Sequence, residues 1–384
     1  VLIERINMRI VHVAEYASGG VATYLRNIVA SQIEDSSVDE IVLINSKKNS
    51  EKLDFNSNKF RHITFDYSRS ISGIIRLLKV RKIIDSLDPD VVHFHSSFAG
   101  IIRLTYLVKL SHYKVVYCAH GWSFLQKNKS RLQKKVYEVI ERLAALKTDT
   151  IINISRSEQQ AAVAHDLPED KMELVYNTIP NKRELFPIPS PFSNLPTKKL
   201  LFVGRFDEQK GLKFLLKNVD FENYGVELVV IGSNVLESSK IASNVTNVTF
   251  LGWIDNKYID SYISICDAVI VPSKWEGFGL VAVEAMKNEK MVIASDAGGL
   301  SEIIVNNYSG LIFKAGSPQK LNEAIAKFAG MGNPKIKLMG HHGKDIFSSK
   351  YNFSELHSRL MQIYKLNPVG KRDYTIISSE KYEQ

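Results

Sequence analysis

Short apolar runs alternate along this chain with longer segments in which apolar positions recur every three to four residues. The short runs fall at 8–13, 41–44, 91–94, 115–119, 151–154 and 174–176, then again at 200–203, 228–231, 248–251, 268–271, 291–294 and 310–313. Most are rich in Val and Ile and do not alternate with polar residues, which is the pattern of parallel strands covered on both faces. The segments between them, such as 21–30, 74–87 and 212–217, carry the helical period. Strand, glycine-bearing turn and amphipathic helix follow one another twice, at 8–30 and at 200–217, half a chain apart. This repetition predicts an α/β protein with two doubly wound parallel sheets. Pro180, Pro187, Pro189, Pro191 and Pro196 crowd the stretch between the halves, where neither helix nor central strand is compatible with so many rings. The expected division is 1–188 and 189–352, with 353–384 as a closing helical segment and polar tail.

Length and composition narrow the class without changing that picture. A chain of 384 residues with 45% apolar and 24% charged residues is globular and large enough for two domains. No apolar run approaches the ~20 residues of a membrane span. Glu4, Arg5 and Arg9 interrupt the first apolar segment, so it does not read as a secretory core, and the expectation is a cytoplasmic protein. Cys118 and Cys266 lie in apolar segments without paired spacing and read as core thiols. The net charge of +9 is unevenly placed: 103–147 holds ten basic residues against Glu138 and Glu141.

In doubly wound sheets, ligands bind beyond the carboxyl ends of the strands, so the chemistry is sought there. Residues 270–286 begin as a strand, break at Pro272, pass through Gly277-Phe278-Gly279 and enter a helix near Leu280. An exposed helix start with glycines around it favours a phosphate. Glu276 and Glu284 are separated by seven residues, too far along the chain to share a proton. Carboxylates only accept hydrogen bonds, which suits the hydroxyls of a sugar. Arg205 and Lys210 follow the strand 200–203 on one glycine-bounded loop, so both can face the same diphosphate, as two fixed charges in place of a magnesium ion. Gly19-Gly20 ends the first strand–turn unit but lacks the third glycine of a dinucleotide fingerprint. His120 follows a buried strand and precedes Gly121, where its side chain projects into a cleft; by itself such a histidine is most often a structural hydrogen-bond partner. His93 and His95 share a strand face, but without an accompanying cluster they do not amount to a metal site.

The Glu276-x7-Glu284 pair around the Gly-Phe-Gly turn resembles the signature of retaining glycosyltransferases of family 4, group 1, with the GT-B fold. The resemblance extends from about Met8 to Tyr364. It implies two Rossmann-like domains facing an interdomain cleft, an acceptor side at 1–188, a nucleotide-sugar side at 189–352 and a last helix that crosses back to the first domain. It implies that Glu284 binds the ribose hydroxyls, that Glu276 binds the transferred sugar, and that Gly277, Phe278, Gly279 and Leu280 offer their backbone to sugar and phosphates. By the same resemblance Arg205 and Lys210 hold the diphosphate, Gly19 and Gly20 lie over the donor phosphates, and His120 contacts the transferred sugar. Glu276, Lys210, Arg205 and His120 are the residues expected to carry transfer, with no metal and no cofactor beyond the nucleotide diphosphate sugar, a UDP-sugar being favoured. Thr178 stands after Asn177 where the family has glycine, Glu302 closes a Gly298-Gly299-x-x-Glu turn as a helix cap, and Trp253 stands in a loop beside the base or in the core.

The acceptor is expected to be a hydroxyl on a lipid-linked or surface-polysaccharide precursor. Arg76, Lys79, Arg81 and Lys82 on the segment 74–87, with the basic excess at 103–147 and Trp122, Phe124 and Leu125, suggest peripheral contact with anionic lipid headgroups, whereas no nucleic-acid motif is present. His341 and His342 read as solvated. Two other readings use the same architecture. A catalytically silent binding subunit would lose the charged motif residues, and a nucleotide-sugar epimerase would lack this glutamate spacing.

Overall fold

The computed structural model describes residues 8–67, 70–193, 195–233 and 245–365. Glu4, Arg5 and the polar tail beyond 365 lie outside the described residues. Two all-parallel sheets form the frame. The first contains β1 (Met8–Ala14), β2 (Val38–Ser46), β3 (Phe60–Phe65), β4 (Val91–His95), β5 (Lys114–Cys118), β6 (Thr150–Asn153) and β7 (Met172–Leu174), in the order β3-β2-β1-β4-β5-β6-β7. The second contains β8 (Lys198–Val203), β9 (Val226–Ile231), β10 (Val248–Gly252), β11 (Ala268–Val271), β12 (Met291–Ser295) and β13 (Gly310–Phe313), in the order β10-β9-β8-β11-β12-β13. β4, β5, β11 and β12 are buried along their whole length, β1 along most of its length and β8 at Leu200, Leu201 and Phe202, which is why these sequences are continuous apolar runs rather than alternating ones. β3 escaped the sequence reading because it is an edge strand, with Arg61, His62 and Thr64 exposed among apolar residues.

Each sheet reverses its strand order once, between β1 and β4 in the first and between β8 and β11 in the second. At such a switch point the loops leaving neighbouring strands diverge and open a crevice. The Gly19-Gly20 turn leaves β1, the Gly204–Gly211 loop leaves β8, and the Pro272–Gly279 segment leaves β11. The motifs therefore stand at the two crevices the topology creates.

The last helix, Phe353–Lys365, packs on the first sheet's side of the molecule. His357 hydrogen-bonds to Ser31 at 2.9 Å and Asp35 at 3.0 Å, Arg359 pairs with Glu173 at 2.6 Å, and Tyr364 reaches His93 at 2.7 Å. No helix among the described residues is long and apolar enough to cross a membrane.

The expected lipid surface needs correcting. Trp122 and Phe124 are fully buried and stack on each other at 5.3 Å. Arg103 is also buried, paired with Glu141 at 2.5 Å and lying over the Tyr117 ring, so it adds no surface charge. His341 is exposed as expected, and His342 stacks at the surface on the half-exposed Tyr308 at 3.9 Å. Trp253 is 65% exposed, which excludes the core reading.

Candidate active site

Gly279 precedes the helix Leu280–Lys287 with φ +114°, a conformation that favours glycine, and its Cα hydrogen side faces Leu300. A Cβ there would stand 2.5 Å from the Leu300 side chain. Gly298 supports the same turn from behind, since a Cβ on it would stand 1.9 Å from the Glu276 carbonyl oxygen. Backbone packed this closely leaves no freedom for the Glu276–Gly279 turn, and the amides at the helix start are left without a side-chain cap. Gly20 of the first domain lies against this start: a Cβ on it would be 3.9 Å from Leu280 Cδ1.

Glu276 is the hub of the polar groups. Its carboxylate accepts from Lys210 Nζ at 2.7 Å and from Ser273 Oγ at 3.0 Å, and both side chains of the ion pair are largely buried. Arg205 is tied to its own loop, donating to Gln209 Oε1 at 3.0 Å and pairing with Asp207 at 3.1 Å. Asp207 also accepts from the Lys210 backbone amide at 2.9 Å, so one carboxylate ties the Arg205 side chain to the backbone of the same loop. Glu284 is half-buried one helical turn inside; burial raises its carboxyl to about 7, with Asp260 adding to the rise and Lys287 and Lys210 opposing it.

His120 sits on a strained turn at the end of β5. Its φ is +52°, unusual for a side chain of this size, and Gly121 follows at +108°. Glu158 holds that turn, accepting from Gly121 N at 2.6 Å and from Ile154 N at 2.8 Å, while its backbone oxygen accepts from Trp122 Nε1 at 3.0 Å. Burial raises the Glu158 carboxyl to about 7. The sequence reading missed Glu158. A signal was present, since Ser155-x-x-Glu158 is a helix-start pattern, and Ser155 Oγ does accept from Glu158 N at 3.1 Å.

The turn meets the second domain directly. A Cβ on Gly277 would stand 3.2 Å from Gly121 Cα, and Ser155 Oγ donates to Gly277 O at 2.7 Å. Between the domains lies a cavity of about 400 Å³ lined by His120, Gly121, Lys127, Lys274, Glu276 and Gly277 among others. His120, Glu276 and Gly277 thus share one space. Lys210 meets it through Glu276, whereas Arg205, Glu284, Gly19, Gly20, Phe278, Gly279 and Leu280 are not among its lining residues. Phe278 is buried against Tyr351 at 5.6 Å, so only its backbone is available.

His93 and His95 do have company, contrary to the expectation from sequence. His12 of β1 joins them, all three rings are buried, and one nitrogen from each lies within 4.8 Å of the others. Each of these rings is held well below its ordinary pKa range by burial, His12 at about 4. Glu302 caps a helix as expected, but the helix belongs to the other domain: it accepts from Arg156 N at 3.0 Å and Ser157 N at 2.7 Å at the start of Arg156–Ala164. Thr178 takes the glycine position without a positive φ, and its hydroxyl donates to Tyr351 O at 2.6 Å.

Known proteins resemble this chain in sequence and in fold. Residues 18–183 match the profile of Glycosyltransferase Family 4, and residues 188–337 match that of Glycosyl transferases group 1. A 41.2 kDa protein from the cps region of Klebsiella pneumoniae is 34% identical over 93% of this chain and 99% of its own length. The O-antigen biosynthesis glycosyltransferase WbnH of Escherichia coli is 29% identical over 61% of this chain and 66% of its own. Among solved structures, sucrose-phosphate synthase from Thermosynechococcus elongatus superposes with a TM-score of 0.77 at 20% identity, covering 93% of this chain and 98% of that one. Anabaena Alr3699/HepE in complex with UDP and glucose superposes at 0.76 and 17% identity, covering 94% and 100%.

Proposed function

This chain belongs to the GT-B glycosyltransferases of family 4 and group 1, and from that membership we propose that it transfers a hexose-like sugar from a UDP-sugar to a hydroxyl of a lipid-linked or surface-polysaccharide precursor. The transfer retains anomeric configuration and needs no metal ion. One observation carries the reading: the Gly19-Gly20 turn, the Lys210–Glu276 pair and the bare start of Leu280–Lys287 come from separate strand ends and meet at the facing switch points. WbnH and the UDP complex of HepE support the acceptor class and the base by similarity.

In this mechanism the diphosphate lies against the amides at Gly279 and Leu280 and draws Lys210 and Arg205 from their present partners. Lys210 then stabilises charge on the leaving phosphate, the function a divalent ion performs elsewhere. Its departure leaves the Glu276 carboxylate to accept from a sugar hydroxyl, and Glu284 accepts from the ribose. The bond from the anomeric carbon to the phosphate oxygen breaks. The acceptor oxygen bonds to that carbon from the same face, giving its proton to the leaving phosphate. Residues 1–188 serve the acceptor and 189–352 the donor.

The acceptor class is supported by the helix Arg131–Ala145. Its buried side is polar and small, with Glu138, Glu141, Ala144 and Ala145, while Leu132, Val136, Val139 and Leu143 face outward at helical spacing. Exposed Arg131 and Lys135 belong to the same helix, and exposed Lys147 follows its end. An outward apolar stripe beside cations fits an anionic lipid surface.

Donor choice is read by thermal shift with UDP, GDP and ADP sugars; a ligand at ~100 times its dissociation constant raises stability by about 2.7 kcal/mol. With the stabilising donor, Lys210→Ala is expected to lower turnover on the order of 10²-fold, and chelator to leave it unchanged. Unaltered turnover in Lys210→Ala would remove the proposed role of that loop.

A further inference from the structure

Behind His120 the buried histidines form an ordered chain. His12 Nε2 meets Gln32 Oε1 at 2.8 Å, His12 Nδ1 meets His95 Nε2 at 3.0 Å, and His95 Nδ1 meets His120 Nε2 at 3.0 Å. Gln32 lies on the helix Gly20–Glu34, His12 on β1, His95 at the end of β4 and His120 at the end of β5, so the chain crosses the sheet at its switch point and ends in the cavity. Gln32, His12 and His95 are wholly buried. Desolvation keeps the rings neutral, with His12 lowered to about 4 and His120 to about 3.

A neutral imidazole has one donor nitrogen and one acceptor nitrogen. A line of such rings can therefore be polarised in only one of two directions, and its end group selects which. The amide oxygen of Gln32 accepts only. It requires the proton on His12 Nε2, which leaves His12 Nδ1 to accept from His95 Nε2, which in turn leaves His95 Nδ1 to accept from His120 Nε2. We propose that Gln32, His12 and His95 are positioning residues that fix His120 as the Nε2–H form, so that its remaining nitrogen Nδ1 takes a hydrogen bond donated by a hydroxyl of the transferred sugar. His93 lies beside the chain and not in it: its Nδ1 meets Tyr364 OH at 2.7 Å and its Nε2 has no hydrogen-bond partner among the described residues.

This arrangement keeps positive charge away from a sugar that itself becomes cation-like as the phosphate departs. It also orients the ring. His95 stacks on His120 at 5.3 Å and Tyr24 meets it edge-on at 4.7 Å, while the backbone of His120 is strained, so the side-chain bond to His95 contributes to holding a turn that the backbone alone disfavours. Within the cluster, His12 Nδ1 and His95 Nε2 already face each other at 3.0 Å as a hydrogen-bonded pair, which commits both nitrogens to the chain and leaves neither lone pair aimed at a shared ion.

The inference rests on the glycosyltransferase reading only for the identity of the hydroxyl donor; the state of the rings is measurable without substrate. In ¹⁵N-histidine-labelled full-length protein at neutral pH, nuclear magnetic resonance is expected to show His12, His95 and His120 each protonated at Nε2 and bare at Nδ1. A proton on Nδ1 of any of the three overturns the proposal, as does one equivalent of zinc retained by the purified chain and bound to His12, His93 and His95. Gln32→Leu removes the selecting oxygen and is expected to lower kcat/KM about tenfold, with UDP affinity unchanged and the His120 resonances showing both forms. In a His120→Ala background the same substitution is expected to have no further effect on kcat/KM; an equal loss there would mean a merely structural role and would reject the positioning claim. If Gln32→Leu does not fold, the wild-type spectrum decides alone. Failure of UDP to bind would count against the donor assignment and leave the ring assignment to be judged on the spectra.

Discussion

A carboxyl group takes one hydroxyl on each of its two oxygens, as acceptor only, when it is ionised, and burial raises Glu284 to about 7. Above this value the carboxylate is present; below it the group carries a proton. UDP affinity is therefore expected to rise as pH increases through about 7, and the rise to be smaller in Glu284→Gln, measured by titration calorimetry from pH 6 to 8. The same shift affects folding with a fixed sign. Between its ordinary value of 4.5 and about 7, the native state holds a proton that the unfolded chain releases. Stability contributed by this group is full below 4.5 and declines as pH rises through 7. Glu276 and Lys210 were legible from spacing, but their mutual 2.7 Å bond was not, because they are 66 residues apart. Glu158 shows the converse: its helix-start pattern is plain in the sequence, while its grip on the His120–Gly121 turn, which lies on another strand's loop, is not.

At the scale of elements, the apolar pattern identified every strand but β3 and fewer than half of the α-helices, and it did not say which way each helix faced. The helix Arg131–Ala145 has a strong apolar stripe, and the usual inference would bury it. Instead the stripe faces outward, because the inner face is committed to ionic and hydrogen-bonded contacts: Glu141 with Arg103 and Tyr117, and Glu138 with Arg142 and Lys135. Inserting Leu132, Val136, Val139 and Leu143 into lipid would gain roughly 1.5–3 kcal/mol each for full burial, and each nearby cation about 1 kcal/mol more. Leu132→Glu with Val139→Glu is accordingly expected to lower binding to anionic vesicles at least tenfold in a sedimentation assay, leaving UDP affinity intact. Vesicle binding that is unaffected by the double substitution, or indifferent to salt, would exclude this helix as the contact.

The whole molecule is clasped at more than one place across its cleft. Glu302 of the second domain accepts from the first amides of Arg156–Ala164 and from Tyr176 OH at 3.3 Å, and Ser155 bonds to Gly277 beside it. Since a lost helix cap costs roughly 0.5–2 kcal/mol, Glu302→Ala is expected to lower the melting temperature modestly. It is also expected to enlarge the radius of gyration in X-ray scattering without ligand, with UDP restoring part of the compaction. An unchanged scattering curve would show that this cap does not hold the two domains together.

The chain's local order determined the parallel strands, the glycine turns at their ends and the spacing of Glu276 and Glu284, because those properties depend on residues two to eight positions apart. Tertiary structure alone decided that His12 joins His95 across 83 positions, that Tyr364 reaches His93 across 271, and that Glu302 caps a helix 146 residues earlier. It also sent Trp122 and Arg103 inward. Such contacts are selected by the burial and pairing of polar groups within the assembled core, where an unpaired charge is costly, and no periodicity along the chain encodes which distant partner will satisfy them.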